Sequence, residues 1–386
     1  MTTFFSPEEN NQPYQAAPHS WGAMSRRVFL GVAGAALLVG CGAAPAVSPG
    51  SLTPTPTPGA MLLPAGRVEP ENAGRVSLLG VLKTNTSPVR GLAWSPDGSM
   101  LAMSANQSAQ IWDVNTGRRL ATLQGHTSTV YWVAWSPDGR MLATASLDRT
   151  VRLWDTRQHS MLTILQDTAN PNLMITVAWS PDSRTLAAGD ANGFVYLWKA
   201  STGKHLRTWN DPPLQIPSTT TGGRLYYAVY GLGWSPDGQY IAANRYDGLL
   251  RIWNAQTGKR AALLQTLQGP NGLAWSPDGR MLSVGTDNGT IQLWDTRTWK
   301  NTARLLTPGD SSGWTYSVPW TPDGRLLAAT RQDSQVEIWN PGTGQQLATL
   351  QGHTNVVWAA AWSPDGLRLA SGSDDGTARL WGVRQA

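Results

Sequence analysis

Cysteine occurs once in the 386 residues, at position 41, so no intramolecular disulfide can form. Phenylalanine occurs only four times. The longest apolar run, residues 28–40, falls well short of the roughly 20 residues that a membrane-spanning helix needs. The formal net charge is +5 and the pI is about 9.5, but lysine and arginine are scattered and form no run of five. A nucleic-acid face clusters its basic residues, so no nucleic-acid partner is expected. Chemistry is also scarce. There are five histidines, no C-x-x-C, no H-E-x-x-H, and no upstream glycine to make a phosphate loop of Gly203-Lys204 or Gly258-Lys259. Asp287-Asn288-Gly289 and Asp374-Asp375-Gly376 partly match calcium loops but recur as ordinary tight turns. Gly309-Asp310-Ser311-Ser312-Gly313 has the spacing of a nucleophile elbow, which requires a strand–turn–helix setting and a histidine partner. Here it precedes a strand in a chain with no predicted helix. The expectation is a protein without catalytic residues, cofactor or metal.

What the chain has instead is tryptophan, twenty of them. Trp94-Ser95-Pro96-Asp97-Gly98 begins a series of tryptophan turns that returns at Trp135, Trp179, Trp234, Trp275, Trp320 and Trp362. About 18 residues after each comes a second tryptophan: Trp112, Trp154, Trp198, Trp253, Trp294, Trp339 and Trp381. Successive turns are separated by 41, 44, 55, 41, 45 and 42 residues. A period near 40–45 with four short strands per unit predicts propeller blades. In the second repeat, residues 120–123, 130–135, 141–146 and 150–154 read as strands, with Ser136-Pro137-Asp138-Gly139 and Asp148-Arg149 as the turns. The fold expectation is therefore all-β: a seven-bladed propeller of four-stranded antiparallel blades.

At this point the chain resembles the WD-repeat β-propeller family, over residues 75–386. The resemblance implies a network joining a Gly-His histidine, a Ser or Thr, an Asp and the third-strand Trp. In repeat two these match His126, Ser146, Asp148 and Trp154, and in repeat seven His353, Ser373, Asp375 and Trp381. The other repeats lack the histidine, and Asp190, Arg245 and Arg331 replace the hydroxyl residue in three of them. The chain ends just after Trp381, which leaves the last blade without its outer strand. Residues 75–82 read as an outer strand with no blade of their own. Ring closure is predicted, with 75–82 completing blade seven beside 377–381, which removes two exposed edges. A closed ring of this kind is expected to be monomeric.

The N-terminus carries a different signal. Ser25-Arg26-Arg27-Val28-Phe29-Leu30 precedes the 28–40 apolar run, whose length suits the core of a signal peptide. The string resembles a bacterial twin-arginine signal, although Arg26 and Arg27 also suit the general secretory route. Leu38-Val39-Gly40-Cys41 resembles a lipobox, which implies that Cys41 becomes a lipidated first residue anchored in the membrane. A lone cysteine is more often a core thiol, but Cys41 precedes a Pro/Thr tract where no core exists. The expected domains are a signal peptide (1–40), a lipidated cysteine and Pro/Thr-rich linker (41–74) and the propeller (75–386), held outside the cytoplasm.

In the WD-repeat family partners commonly use the face where inner strands begin. Four residues before each turn tryptophan stand Arg90, Tyr131, Ile175, Tyr230, Asn271, Tyr316 and Trp358, with Trp314 and Tyr246 nearby. Tyr, Trp and Arg are the types most enriched at binding hot spots. The candidate partner-binding set is Arg90, Tyr131, Tyr230, Tyr246, Trp314, Tyr316 and Trp358. The insertion at 210–224, source of the 55-residue spacing, is expected on the same face. Two functions stay open: a non-catalytic scaffold for unidentified protein partners, and a sensor for a small ligand or glycan at the channel mouth.

Overall fold

The computed structural model describes residues 61–84, 88–169, 171–210, 228–245, 247–266, 269, 271–306 and 313–384. Each repeat folds as its local chemistry dictates. In blade two the inner strand Val130–Trp135 ends in the Ser136-Pro137-Asp138-Gly139 turn. Ser136 Oγ donates to Asp138 Oδ1 at 2.6 Å and accepts the Met141 N–H at 2.9 Å. Asp138 Oδ1 also accepts the Arg140 N–H at 3.0 Å. Gly139 adopts φ 74°, the left-handed region in which a Cβ collides with the following carbonyl. The chain reverses into Met141–Ser146, a strand of small residues buried almost throughout, and then into Val151–Asp155 and the largely exposed Ser160–Leu165.

Seven such sheets form, each of four antiparallel strands. Blade one covers 92–123, blade two 130–165, blade three 174–209, blade four 229–265, blade five 273–305 and blade six 315–350. Blade seven takes three strands from 357–383 and its fourth from Val76–Lys83. The closing pair runs antiparallel from Val76↔Val383 to Lys83↔Thr377, with a bulge between Leu78 and Gly80. The ring closure expected from the missing outer strand is therefore the observed one. Chain upstream of that strand packs as well. The Ala65 N–H donates to Val383 O at 2.7 Å and the Val68 N–H to Gly366 O at 3.1 Å, and Val68 and Ala73 are buried between blades six and seven. The first strand begins at Val76, one residue later than expected, and packed chain already precedes it.

The core lies between blades. Ala102, Ile111 and Leu123 of blade one meet Val130, Val133, Trp135 and Trp154 of blade two, and the same arrangement recurs around the ring. Burying such side chains contributes roughly 1.5–3 kcal/mol each before the entropy of ordering is counted. The turn tryptophans add direction. The indole N–H of Trp94 donates to Ala361 O at 2.9 Å, Trp179 to Ala134 O at 3.0 Å, and Trp234, Trp275 and Trp320 at 3.2 Å to Ala178, Gly233 and Ala274. Each acceptor directly precedes the turn tryptophan of the previous blade. Five of the seven repeats thus staple inner strand to inner strand, and the Trp94 bond spans the ring closure. Trp135 departs from this pattern and bonds Gly139 O of its own turn at 3.1 Å.

Candidate functional site: the aromatic rim of the channel mouth

The inner strands ring the axis, and their starting ends share one face. Five of the rim residues identified in the sequence occupy the same backbone irregularity. The pairing between first and second strands skips one residue at Tyr131, Ile175, Tyr230, Tyr316 and Trp358. A bulge leaves its extra residue unpaired and re-aims its side chain. Here the bulge repeats in five blades at the mouth of the ring, so the backbone itself presents these side chains as a set.

The rings meet. Trp314 and Tyr316 have centroids 5.8 Å apart, and Tyr316 and Trp358 4.4 Å apart. The Arg90 guanidinium lies 5.2 Å from the centroids of both Trp358 and Tyr131 and is held between the two rings. Tyr131 and Tyr230 then pack around buried Ile175 and Ala228. Asn271 completes the circuit in blade five, 4% exposed, its carbonyl accepting the Asn244 amide. Burial pushes the Tyr131 and Tyr230 hydroxyls above the usual phenol range, so both stay neutral donors at physiological pH.

Asp374, which the sequence reading missed, faces Arg90 at 3.7 Å, an ion pair too long for a hydrogen bond. Arg90 Nε, Trp358 Nε1 and Asp374 Oδ1 are all buried and lack a hydrogen-bond partner among the described residues. Buried polar groups are nearly always hydrogen-bonded, so these three rim atoms stand out. Asp374 had a signal: it stands beside the tight turn of repeat seven, the position that singled out Tyr246 in repeat four. Tyr246 lies outside the described residues, as do 211–227 of the insertion region, 309–312 of the elbow-like string, and Arg26, Arg27 and Cys41.

The cross-linking network differs from its expected form in one member. His126 Nδ1 bonds Asp148 Oδ2 at 2.6 Å, and its Nε2 bonds Thr144 Oγ1 at 2.7 Å. Trp154 Nε1 donates to the same Thr144 hydroxyl at 2.9 Å. In blade seven His353 bonds Asp375 and Ser371 at 2.8 Å each, and Trp381 donates to Ser371 at 2.8 Å. The hydroxyls are thus Thr144 and Ser371, correcting Ser146 and Ser373. Those two bind backbone instead: Ser146 Oγ donates to Ser128 O at 3.1 Å and Ser373 Oγ to Asn355 O at 3.0 Å. The reason is register. Trp154 pairs with Leu142, which makes Thr144 its diagonal neighbour, while Ser146 lies about 13 Å along the strand from that pair.

At the position of Thr144 the other blades carry Met103, Ala188, Ala243, Val284 and Ala329, so the full relay belongs to blades two and seven. Burial disfavours the charged form of Asp148, yet hydrogen bonds from His126, Thr150 and the Thr127 N–H hold its carboxyl below the usual range, and Asp375 behaves likewise. The remaining blades improvise. Tyr196 donates to Asp190 at 2.9 Å, Arg251 pairs with Asp247 at 2.6 Å, and Trp339 donates to Glu337 at 3.0 Å.

Seven four-stranded blades and a ring closed by the N-terminal strand define a β-propeller. Comparison with known families agrees. A model described as IFT122 first beta-propeller matches residues 88–305, more than half of the chain, and one described as WD domain, G-beta repeat matches 303–340 and 344–382. The chain belongs to the WD-repeat β-propeller family. No curated protein matches it. Propellers of this family generally serve as non-catalytic platforms for protein partners.

Proposed function

We propose that this protein is a non-catalytic scaffold, anchored outside the cytoplasm through lipidated Cys41, whose aromatic channel mouth binds a protein partner. The observation that carries the binding part is the bulge-presented rim, in which Arg90 sits between Trp358 and Tyr131 and faces Asp374. Aromatic anchors around a half-buried arginine are the composition of a hot spot, where single truncations cost about 2 kcal/mol or more in binding. The anchoring part rests on the sequence: paired arginines, an apolar core of signal length and Cys41 ahead of a Pro/Thr tract. Extended chain of that composition rises about 3.1 Å per residue, enough to hold the propeller clear of the lipid headgroups.

The test uses the full-length protein, solubilised from membranes as bait for envelope proteins, beside a Tyr316→Ala/Trp358→Ala variant of unchanged melting temperature. A protein retained by the first and lost by the second supports the scaffold. Equal retention by both removes the rim from the interface. Retention of no protein refutes the scaffold and leaves a small ligand at the same mouth as the alternative. Cys41→Ala is expected to move the protein from the membrane to the soluble fraction, and a variant that stays membrane-bound refutes the lipid anchor.

A further inference from the structure

A well-formed cleft lies at the opposite end of the inner strands, at the seam of blades four and five. Its volume is about 730 Å³, within the range of small-molecule sites. Three rings line it: Tyr240 from blade four, and Trp275 and Trp299 from blade five. Trp275 belongs to the repeat and is tied by its indole N–H to Gly233 O. The other two rings are specific to this seam. At the position of Tyr240 the other repeats place Met100, Met141, Thr185, Met281, Leu326 and Arg368, none of them aromatic.

Trp299 is the more informative residue. It occupies the turn between third and fourth strands, where four blades place glycine in the left-handed region: Gly117 (φ 67°), Gly203 (66°), Gly258 (74°) and Gly344 (74°). Blade two puts His159 there at φ 53° and blade five Trp299 at φ 55°. A bulky side chain in that region is a genuine conformational outlier, and such outliers concentrate at ligand sites. The strained ring stands at 84° to Tyr240, with centroids 5.8 Å apart, and at 81° to Trp275, 6.2 Å apart. The three rings therefore form a corner with half-buried faces rather than a closed stack.

Polar groups of both signs border that corner. Asp278 Oδ1 is held by the Ser276 hydroxyl at 2.6 Å and by the Arg280 N–H at 3.0 Å, which fixes the carboxylate. Its Oδ2 meets the exposed Arg280 side chain at 3.8 Å, and Arg297 lines the same cleft. Hydrogen bonds from Ser276 keep Asp278 ionised well below the usual carboxylate range. Fixed acceptors, guanidinium donors and flat apolar faces, with the charges balanced, match one ligand chemistry. A neutral pyranose offers an apolar C–H face to an aromatic ring and a rim of hydroxyls that both donate and accept.

We propose that the Tyr240–Trp275–Trp299 cleft is a saccharide-binding site for neutral pyranose chains, separate from the partner-binding mouth. Trp299 is the stacking platform, and Asp278 and Arg297 bind ring hydroxyls. The test is saturation-transfer NMR and calorimetry on the intact protein with cellotetraose and tetra-N-acetylchitotetraose as probes, and tetragalacturonate as the charged comparator. One neutral probe is expected to bind at or below about 10 mM. Trp299→Gly is expected to weaken it at least about tenfold while leaving the melting temperature equal or higher, because glycine suits the turn. Arg297→Ala, an exposed change, should weaken it several-fold and keeps the test decisive if the Trp299 variant folds poorly. Silence from both neutral probes, undiminished binding by both variants, or preference for tetragalacturonate would overturn the proposal.

Discussion

Replacing Thr144 with Val retains the β-branched shape and removes a single hydroxyl. That hydroxyl is the hub of blade two, bonded to His126 Nε2 at 2.7 Å and Trp154 Nε1 at 2.9 Å, and Thr144 is 0% exposed. Water cannot replace the lost partner there. Stranding a buried polar group costs about 1–3 kcal/mol, so two stranded groups cost roughly 2–6 kcal/mol, centred near 4. The valine methyl fills the space, so no cavity penalty adds to this. For a ring of roughly 300 residues each 1 kcal/mol moves the melting midpoint by about 1.5 °C, which places the expected loss at roughly 3–9 °C. Ser146→Ala is the comparison. Ser146 is equally buried, but its hydroxyl bonds only the backbone Ser128 O and Asp148 N–H, at 3.1 Å each, and both partner residues are half-buried, so the expected cost is about 1 kcal/mol. Both variants are melted by circular dichroism at one scan rate, since ring opening need not be reversible. If Ser146→Ala lowers the midpoint as far as Thr144→Val, the assignment of Thr144 as the hub is wrong.

Two further outcomes are expected. A Cβ at Gly272 would lie 2.2 Å from Tyr316 O, backbone of the next blade that cannot yield, so Gly272→Ala should cost about 3 kcal/mol or more, read as a lower denaturant midpoint at unchanged slope. An alanine variant as stable as wild type would refute the close inter-blade approach. For pH, burial holds the folded His353 below its ordinary value against the pull of Asp375, so the unfolded chain takes up the proton first. Stability is therefore full above about pH 6.5 and falls as pH drops through the window below it; Asp148 and Asp375, also depressed, add a second loss below about pH 4. Melting curves from pH 7.5 to 3 should show both steps, and His353→Gln should flatten the upper one; an upper step of unchanged size in that variant would exclude His353 as its source.

How much was legible depended on distance along the chain. Blade number, strand order and turn positions follow from Trp94, Pro96 and Asp97 and their six repeats, because each blade is made of hairpins whose contacts are local. Even closure was legible, since a missing outer strand after Trp381 and a spare one at 75–82 have one economical solution. The rim set was visible as a position in the repeat, though not the bulge that aims it or Asp374 beside Arg90.

By itself, then, the sequence determined a seven-bladed ring and the residue types at its mouth, because local turn chemistry and period-two strands leave little freedom. Only the tertiary structure decided which hydroxyl joins histidine to tryptophan. Positions 144 and 146 share a face, and only the lateral register of Leu142 against Trp154 distinguishes them. Only the tertiary structure, too, brought Tyr240 of one blade to Trp299 of the next. Contacts across a seam depend on how neighbouring sheets pack, which no local pattern encodes.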